Sequence, residues 1–341
     1  MTEQELCEWF ITLGEPKFRA KQVFGQLMTG VKIEEMTNLP KKLREKIKEI
    51  TTDTLPKVER KLVSKIDGTV KYLFSLYDGE CIESVLMKYK HGNTLCISSQ
   101  VGCRMGCKFC ASTIGGKKRD LYPSELIGQV IAATVDSGER ISNIVMMGIG
   151  EPLDNYDNVV KFLHLVNSED GLNIGYRHIS LSTSGVVPGI MKLAEESFPI
   201  TLSISLHATN DEIRSSIMPI NNKWKISELL AACRYYYEKT KRRISFEYTL
   251  IHGKNDSPRE AKALAELLTK AFSGTGAPIH VNLIRVNEVE ETGFKAGSVE
   301  SASLFCKTLE KLGVVATVRR RLGADVNAAC GQLRRARQNE G

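Results

Sequence analysis

Short apolar runs alternate with helical patterns along the chain from residue 92 onward. Six runs rich in β-branched residues favour buried strands at 95–99, 144–148, 178–183, 199–206, 244–251 and 279–285. Apolar positions at helical spacing lie near 123–137, 156–167, 188–196, 226–240 and 257–272, and a helix near 298–312 and a strand at 314–319 follow. This βα repetition predicts a parallel sheet with right-handed crossovers. Because the strands are fewer than the eight of a closed barrel, we expect an α/β fold built as a partial (βα)6 barrel.

The first 91 residues follow two other patterns. Apolar positions spaced for short helices occupy 1–50, and a looser alternation from 57 to 88, with Asp67-Gly68 as a hairpin turn, predicts strands. We therefore divide the chain into four regions. They are a helical accessory region (1–50), a β-rich connecting segment (51–91), the barrel core (92–325) and a C-terminal segment (326–341).

Composition narrows the class of protein. The chain has 341 residues, of which 42% are hydrophobic and 7% aromatic, and these values exclude a mostly disordered protein. No run approaches the roughly 20 apolar residues of a membrane span. The acidic, amphipathic N-terminus lacks the basic start and apolar stretch of a secretory signal. We expect a cytoplasmic protein that does not bind a membrane.

Positive charge is concentrated at the C-terminus. Residues 311–341 contain seven basic and two acidic residues, and so carry +5 of the net charge of +7. The basic residues there are Lys311, Arg319, Arg320, Arg321, Arg334, Arg335 and Arg337. Smaller groups are Lys41, Lys42, Arg44, Lys46 and Lys48; Lys117, Lys118 and Arg119; and Lys241, Arg242 and Arg243. A polyanionic partner such as RNA would explain this distribution, although each smaller group taken singly is better explained by solvated helix faces and loop tips.

Cysteine spacing carries the strongest chemical signal. Four of the nine cysteines lie between residues 96 and 110, and three of them have the spacing C-x3-C-x2-C: Cys103, Cys107 and Cys110. Three thiolates on one loop suit a cubane iron–sulfur cluster that leaves one iron open to a small molecule. Structural zinc completed by a distant histidine, or free thiols, are the alternatives. The odd total argues against a disulfide framework. We interpret Cys7, Cys81, Cys233 and Cys306 as small buried hydrophobic residues.

Polar residues and glycines follow the predicted strands. The cysteine loop comes after the first strand, 148–152 after the second and 182–185 after the third, while 205–207 ends the fourth and Asn287 follows the sixth. Since the carboxyl ends of parallel strands meet at one edge of the sheet, these positions predict a single site there.

Nearly the whole chain resembles the RlmN/Cfr family of radical S-adenosyl-L-methionine (SAM) RNA methyltransferases. The resemblance is carried by 96–110 with its cysteines, 147–152 (Met-Gly-Ile-Gly-Glu-Pro), 181–185 (Leu-Ser-Thr-Ser-Gly), 205–211 (Ser-Leu-His-Ala-Thr-Asn-Asp), 218–221 (Met-Pro-Ile-Asn) and 328–333 (Ala-Ala-Cys-Gly-Gln-Leu). Within the family, 110–116 (Cys-Ala-Ser-Thr-Ile-Gly-Gly) is more similar to RlmN. One departure is Asn327, which stands where the family commonly has a second acid after Asp325, so we assign it no proton-transfer role.

The resemblance implies an enzyme that methylates C2 of an adenosine in 23S rRNA and in tRNA, with a [4Fe-4S] cluster on Cys103, Cys107 and Cys110. It implies SAM contacts at Gly150, Glu151, Ser182, Ser205, Leu206, His207 and Asn287. Taken singly, these residues could merely end strands or be satisfied core polar groups. It also implies a monomer that takes electrons from a flavodoxin- or ferredoxin-like reductant, with the RNA held by the N-terminal helices and the basic C-terminus.

Three further residues receive roles from the resemblance. Cys330 takes a methyl group from one SAM as a nucleophile, and a radical from a second SAM then activates that methyl group for attack on the base. Cys96 assists the release of the protein–RNA adduct and forms a disulfide with Cys330. Glu83 accepts the C2 proton. Without the resemblance, a buried helix thiol for Cys330 and a strand core residue for Cys96 are the simpler interpretations, and an exposed strand glutamate explains Glu83 equally well.

Two other functions remain open at this stage. The first is methylation at adenine C8, as the Cfr branch of the family implies, which would keep every motif. The second is a non-catalytic RNA-binding protein with structural zinc.

Overall fold

One long sheet organises the molecule. The computed structural model describes residues 1–287, 293–326 and 333–334. Its strands are β1 (Lys57–Val63), β2 (Val70–Ser75), β3 (Cys81–Tyr89), β4 (Gly92–Cys96), β5 (Gln100–Gly102), β6 (Lys117–Asp120), β7 (Ile141–Met146), β8 (Ile179–Thr183), β9 (Thr201–Ser205), β10 (Ile244–Leu250), β11 (Ile279–Arg285) and β12 (Val315–Val318). Ten of them form a sheet in the order β1-β2-β3-β4-β7-β8-β9-β10-β11-β12, and β5 pairs with β6.

Ten helices connect and cover these strands in the part of the chain that the structure describes. They are α1 (Glu3–Thr12), α2 (Lys17–Met28), α3 (Lys41–Ile50), α4 (Pro123–Ser137), α5 (Tyr156–Asn167), α6 (Val187–Glu196), α7 (Asp211–Ile217), α8 (Ile226–Thr240), α9 (Pro258–Ala271) and α10 (Val299–Lys311). Local chemistry sets their ends. Pro123 opens α4, the Glu125 carboxylate accepts the Tyr122 N–H, and Gly138 ends the helix in the left-handed conformation.

The prediction of a partial parallel barrel is confirmed. Every neighbouring pair from β4 through β7 to β12 is parallel, whereas β1 to β4 pair antiparallel. The sheet curls, because residues of β3 and β4 line the same cavity as residues of β11 and β12. The first predicted strand, 95–99, differs from the structure. The observed strand is Gly92–Cys96, because a tight turn directly after Tyr89 brings Gly92 into pairing with β3.

The inner face of the curled sheet is polar along β10. On β10, Phe246, Tyr248 and Leu250 point outward into the main apolar core, while Ser245, Glu247 and Thr249 face inward. The outer face is covered by helices, as a parallel sheet requires. The interior is therefore polar beside β10, while Val85, Met87 and Cys96 of β3 and β4 form a small separate apolar cluster on the opposite side.

The N-terminal helices form a covered unit beside the barrel. Thr2 and Glu5 form a capping box at the start of α1. Leu43 and Ile47 of α3 are buried, and its lysines face outward. The expectation of buried cysteines holds for Cys81 and Cys233. It is wrong for Cys7 and Cys306, which are only half-buried because their helices lie at the surface. The division into four regions stays a prediction.

No helix in the described part of the chain is both long and apolar enough to span a bilayer.

The β1–β2 turn holds the chain that leads to the C-terminal segment. The Asp67 carboxylate accepts the N–H of Gly323 at 2.9 Å and of Thr69 at 3.0 Å. The Asp325 carboxylate accepts the Ser64 hydroxyl at 2.7 Å and the Lys65 N–H at 2.8 Å. We call these contacts the hairpin clamp. Asn327, singled out in the sequence, lies outside the described residues.

We expect Asp67→Asn to lower the stability of the protein at neutral pH. Burial opposes ionisation of Asp67, but the N–H donors of Gly323 and Thr69 outweigh it and lower its pKa to about 2. The folded pKa lies below the unfolded value of about 3.9, so the stabilisation is present above pH 4 and is lost as the pH falls toward 2. In urea unfolding, the free energy of unfolding of the variant should therefore be lower than that of the wild type at about pH 7, and the two values should converge at low pH.

Glu49→Gln is the matched control, since Glu49 is an exposed carboxylate outside the hairpin clamp. A constant difference between Asp67→Asn and wild type at every pH would contradict the assignment.

Candidate active site

The cysteine loop is closed by a close approach of two glycines. Gly102 ends β5 with φ +78°, and a Cβ there would overlap the carbonyl oxygen of Gly116. That same oxygen accepts the Cys103 N–H at 3.2 Å. The Thr113 hydroxyl donates to the carbonyls of Cys107 and Cys110 at 3.1 and 2.9 Å. The loop is therefore held at both ends and across its middle.

Cys103, Cys107 and Cys110 line one cavity of about 260 Å³. Burial raises the pKa of Cys103 to about 12 and that of Cys107 well above its usual range. Metal binding would displace these protons, because thiolates are the ligand form. Among the described residues, no three His, Cys, Asp or Glu side chains are placed to hold a single ion.

The donors around the cavity fit an iron–sulfur cluster with room for a second ligand. Three cysteine sulfurs are the donor set that a cubane cluster takes when one iron stays open. The buried Ser112 hydroxyl also lines the cavity and has no hydrogen-bond partner among the described residues. A buried polar group without a partner is costly, and a bound polar ligand would satisfy it.

Gly150 and Glu151 close the end of β7. A Cβ on Gly150, whose φ is +109°, would lie 2.6 Å from the Gln100 Cβ, so only glycine fits. The Glu151 carboxylate accepts the N–H of Leu153 at 3.0 Å and of Ser184 at 2.6 Å, which ties the end of β7 to the end of β8. Burial raises the pKa of Glu151. Both residues line the cavity.

His207 presents a neutral ring to the cavity. Its backbone has φ +56°, an unfavourable conformation for a non-glycine residue and one that clusters at functional sites. Its Nδ1 accepts the Thr249 N–H at 2.9 Å, which assigns the ring proton to Nε2. Burial, assisted by the charge of Arg214, lowers its pKa to about 3. His207 is therefore a neutral donor, held on edge against Phe109.

The remaining sequence candidates for SAM contacts divide into two groups. Ser182, Ser205 and Asn287 line the same cavity. The Leu206 side chain does not, because it is buried in the main core, and its backbone N–H donates to the carbonyl of Glu247 at 3.1 Å. The structure thus brings together all the predicted cofactor residues except the Leu206 side chain.

A second chamber of about 640 Å³ opens beside the first. The two chambers share Met147, Ile284, Val286, Asn287 and Arg319. Cys96, at the end of β4, faces the second chamber. The residues that lead to the C-terminal segment, 322–324, line it as well, and Arg319, Arg320 and Arg321 lie exposed at its rim. Cys330 lies outside the described residues.

Glu83 is placed differently from its sequence interpretation as an exposed strand residue. It is 2% exposed, forms an ion pair with the buried Lys71 at 3.2 Å, and accepts the Arg334 N–H at 2.7 Å. It lines neither chamber.

The C-terminal basic group is not wholly a solvated surface. Arg334 is 5% exposed and pairs with Glu80 at 3.5 Å, because Leu333 packs against Leu73 and Cys81 and carries it inward. Arg335 and Arg337 lie outside the described residues. Two residues of the group at 117–119 are also committed to internal pairs, Lys117 with Asp120 and Asp154, and Arg119 with Glu125 and Asp78.

Two charged residues near the cavity were missed in the sequence. Glu247 lines the cavity, accepts the Ser245 hydroxyl at 3.1 Å and the Asn282 amide at 2.7 Å, and has a pKa raised by burial. A charged residue inside an apolar run was the available signal. Arg214 lies on α7, which was not predicted, and the chain pattern offered no signal for it.

Comparison with known proteins gives consistent matches. Residues 1–52 match the ribosomal RNA large subunit methyltransferase N-terminal domain, and 97–265 match the radical SAM superfamily. The chain is 55% identical to the probable dual-specificity RNA methyltransferase RlmN of Alkaliphilus oremlandii, over 98% of this chain and 96% of that protein. It is 52% identical to the protein of the same name from Clostridium novyi, with the same coverage. A crystal structure of a radical SAM methyltransferase from Sphaerobacter thermophilus superposes with a TM-score of 0.91 at 43% identity, over 97% of each chain.

We expect Gly102→Ala to destabilise the protein by about 3 kcal/mol and to reduce iron binding, because the methyl group overlaps Gly116 and the residue is left-handed. Gly115→Ala is the matched control. Gly115 also has a positive φ, +87°, but nothing lies within 4 Å of its Cβ position. Iron content and thermal unfolding of both variants test this. Equal loss in the two variants would show that the close approach is unimportant.

Proposed function

From the premise that this chain belongs to the RlmN family of radical SAM RNA methyltransferases, we propose that it methylates C2 of an adenosine in 23S rRNA and in tRNA. Its cofactors are a [4Fe-4S] cluster and SAM. The observation that carries the proposal is that Cys103, Cys107 and Cys110 share one cavity with the ends of five strands, and that this cavity adjoins the chamber that Cys96 faces.

The chain's residues can be assigned to the two cofactors. The three cysteines hold three irons and leave the fourth for SAM. The amino-acid part of SAM needs acceptors for its ammonium group and donors for its carboxylate, and the backbone at 150–151 with Ser182 and Ser205 lies at the strand ends to supply them. His207 offers a neutral N–H donor, and Asn287 lies where both chambers meet. When bound, the cluster supplies one electron to SAM.

A carrier cysteine answers a chemical difficulty. Adenine C2 has no nucleophilic lone pair, so it cannot take a methyl group directly from a sulfonium. In our proposal Cys330 carries the methyl group and Cys96 resolves the protein–RNA adduct, with a disulfide between them that a reductant reopens. Two contacts support this assignment. Cys96 faces the chamber that 322–324 also line, and the hairpin clamp holds the chain just before the segment with Cys330.

The RNA would enter at the basic rim. Arg319, Arg320 and Arg321 are exposed around the second chamber, and Lys42 and Lys46 of α3 are exposed on the N-terminal helices. These residues would contact phosphates while the target base leaves its stack. The buried Arg334 is not one of them. The proposal includes a monomer in the cytoplasm and a flavodoxin- or ferredoxin-like electron donor.

Mass spectrometry of nucleosides tests the function. Unmodified 23S rRNA and tRNA treated with reconstituted enzyme, SAM and reductant should yield 2-methyladenosine. Formation of 8-methyladenosine instead would assign the alternative regiochemistry. An iron-loaded enzyme that cleaves SAM without methylating RNA would contradict the proposal.

The two cysteines outside the cluster should behave asymmetrically. We expect Cys330→Ala to abolish methylation while the cluster is retained, and Cys96→Ala to accumulate protein joined covalently to RNA. The double variant should give no adduct, because the attachment atom is gone. Denaturing electrophoresis detects the adduct, and peptide mass spectrometry of wild type should show an added methyl on Cys330. Two ordinary core thiols would merely lose about 1–2 kcal/mol of stability each.

The proton acceptor can be identified by comparing two carboxylates. Glu83 lines neither chamber, and its two oxygens contact the Lys71 ammonium group and the Arg334 backbone N–H, so it can accept the C2 proton only after this region rearranges, whereas Glu247 already lines the cavity. We expect Glu83→Gln to slow methylation by about 100-fold, as loss of a general base does, and Glu247→Gln to slow it far less. Single-turnover rates across pH measure this. The reverse order would assign the role to Glu247.

A further inference from the structure

Arg214 is a buried cation without an anionic partner among the described residues. It is 0% exposed and is the largest of the fully buried side chains in the described part of the chain. Its guanidinium donates to the carbonyls of Leu206 at 3.1 Å, Ser184 at 2.7 Å and Ser205 at 3.0 Å, and to the Asn221 side chain at 3.1 Å. All four acceptors are neutral.

Such an arrangement is costly by itself. Hydrogen bonds to neutral oxygens recover only part of the hydration free energy of a buried charge, and buried cations are ordinarily paired. The hydrogen bonds satisfy the forked N–H donors of the guanidinium group. They do not neutralise its positive charge, so we expect a negative charge nearby.

The cysteine loop lies directly against the segment that carries Arg214. Cys107 packs in one apolar cluster with Ile217, the last residue of α7, and with Met218 and Ile220, which follow the helix. The Lys108 N–H donates to the Ile217 carbonyl at 2.9 Å. Arg214 is therefore fully buried in a segment that packs against the loop of cluster ligands.

The same side chain reaches the strand ends. The carbonyls that it holds belong to the turns after β8 and β9, where Ser205 and His207 enter the cavity. It also holds Asn221, the last residue of the Met-Pro-Ile-Asn motif, whose amide in turn donates to the Asp211 carbonyl at 3.1 Å and to the Asp211 carboxylate at 3.0 Å. Asp211 is thus linked to Arg214 only through this neutral amide and does not pair with it directly. One side chain thus connects the cysteine loop, the strand ends and that motif.

We propose that Arg214 is a positioning residue whose fixed positive charge offsets the negative charge of the three thiolates and the cluster they hold, while its hydrogen bonds fix the ends of β8 and β9. This rests on the proposed function, because it requires Cys103, Cys107 and Cys110 to be cluster ligands. An added electron makes the cluster more negative, so a nearby cation favours the reduced state and raises its potential.

Charge and hydrogen bonding can be separated by substitution. Arg214→Gln removes the charge and keeps a side chain that can donate, whereas Arg214→Lys keeps the charge and loses the fork. We expect Arg214→Gln to lower the reduced-to-oxidised ratio of the cluster at a fixed potential at least tenfold, which is 59 mV for a one-electron couple. Arg214→Lys should shift it much less, and Arg234→Gln, at a half-buried position on α8, should leave it unchanged.

A second pair of variants covers the possibility that Arg214→Gln does not fold. Cys233 on α8 is buried, and the charge of Arg214 acts on it. Cys233→Asp introduces a negative charge within electrostatic reach of Arg214 without removing the arginine, and Cys233→Asn is its neutral match in size. The aspartate should offset the positive charge and lower the cluster potential, whereas the asparagine should not.

Redox titration followed by electron paramagnetic resonance measures the potential, and iron analysis measures loading. The proposal is overturned if Arg214→Gln and Arg214→Lys shift the potential equally, or if Cys233→Asp and Cys233→Asn do not differ. Failure of the wild type to hold iron would instead overturn the proposed function. Wild-type loading with unmoved potentials would overturn this inference alone.

Discussion

Where parallel strands end at a cavity, their last backbone N–H and carbonyl groups have no partner in the sheet. The site depends on side chains that form hydrogen bonds with these groups. Gln129 binds both the N–H and the carbonyl of Ser98 after β4. Asn255 does the same around the turn after β10, where it holds the carbonyls of His207 and Thr249 at 2.8 Å each. Buried backbone groups without partners are rare in proteins because each costs as much as a lost hydrogen bond. The strand ends can face a ligand cavity because these side-chain amides satisfy the backbone groups from the side away from the cavity.

Much of the fold could be predicted because its strands and helices carry strong periodic patterns. The helices α4, α5 and α8 occupy the ranges read from the sequence. The hairpin of β5 and β6 and the short helix α7 could not be predicted. The hairpin depends on contact between Gly102 and Gly116 rather than on an apolar pattern, and α7 has only seven residues.

The parts of the candidate site that depend on residue type and spacing could be predicted from the sequence. The parts that depend on ion pairs between different elements of the fold could not. The cysteines and the polar strand ends come from spacing and resemblance. Charges did not reveal their own environment. Three charged residues each have an ionic partner on another element of the fold. Glu83 pairs with Lys71, Arg119 with Asp78, and Arg334 with Glu80. A charge pattern cannot distinguish such internal pairs from a solvated surface. The Leu206 side chain illustrates the opposite error, since this motif residue is buried in the main core and does not line the cavity.

The hairpin clamp also has a consequence for the order of folding. It joins Asp67 to Gly323 and Ser64 to Asp325, residues separated by 256 and 261 positions in the chain. Contacts of such long sequence separation form late, because the whole intervening chain must be ordered or closed as a loop first. During synthesis the β1–β2 turn leaves the ribosome long before its partner exists, so the barrel and its cysteine loop can assemble ahead of it. The contacts of Gly323 and Asp325 with the β1–β2 turn are then formed as one of the last steps of maturation.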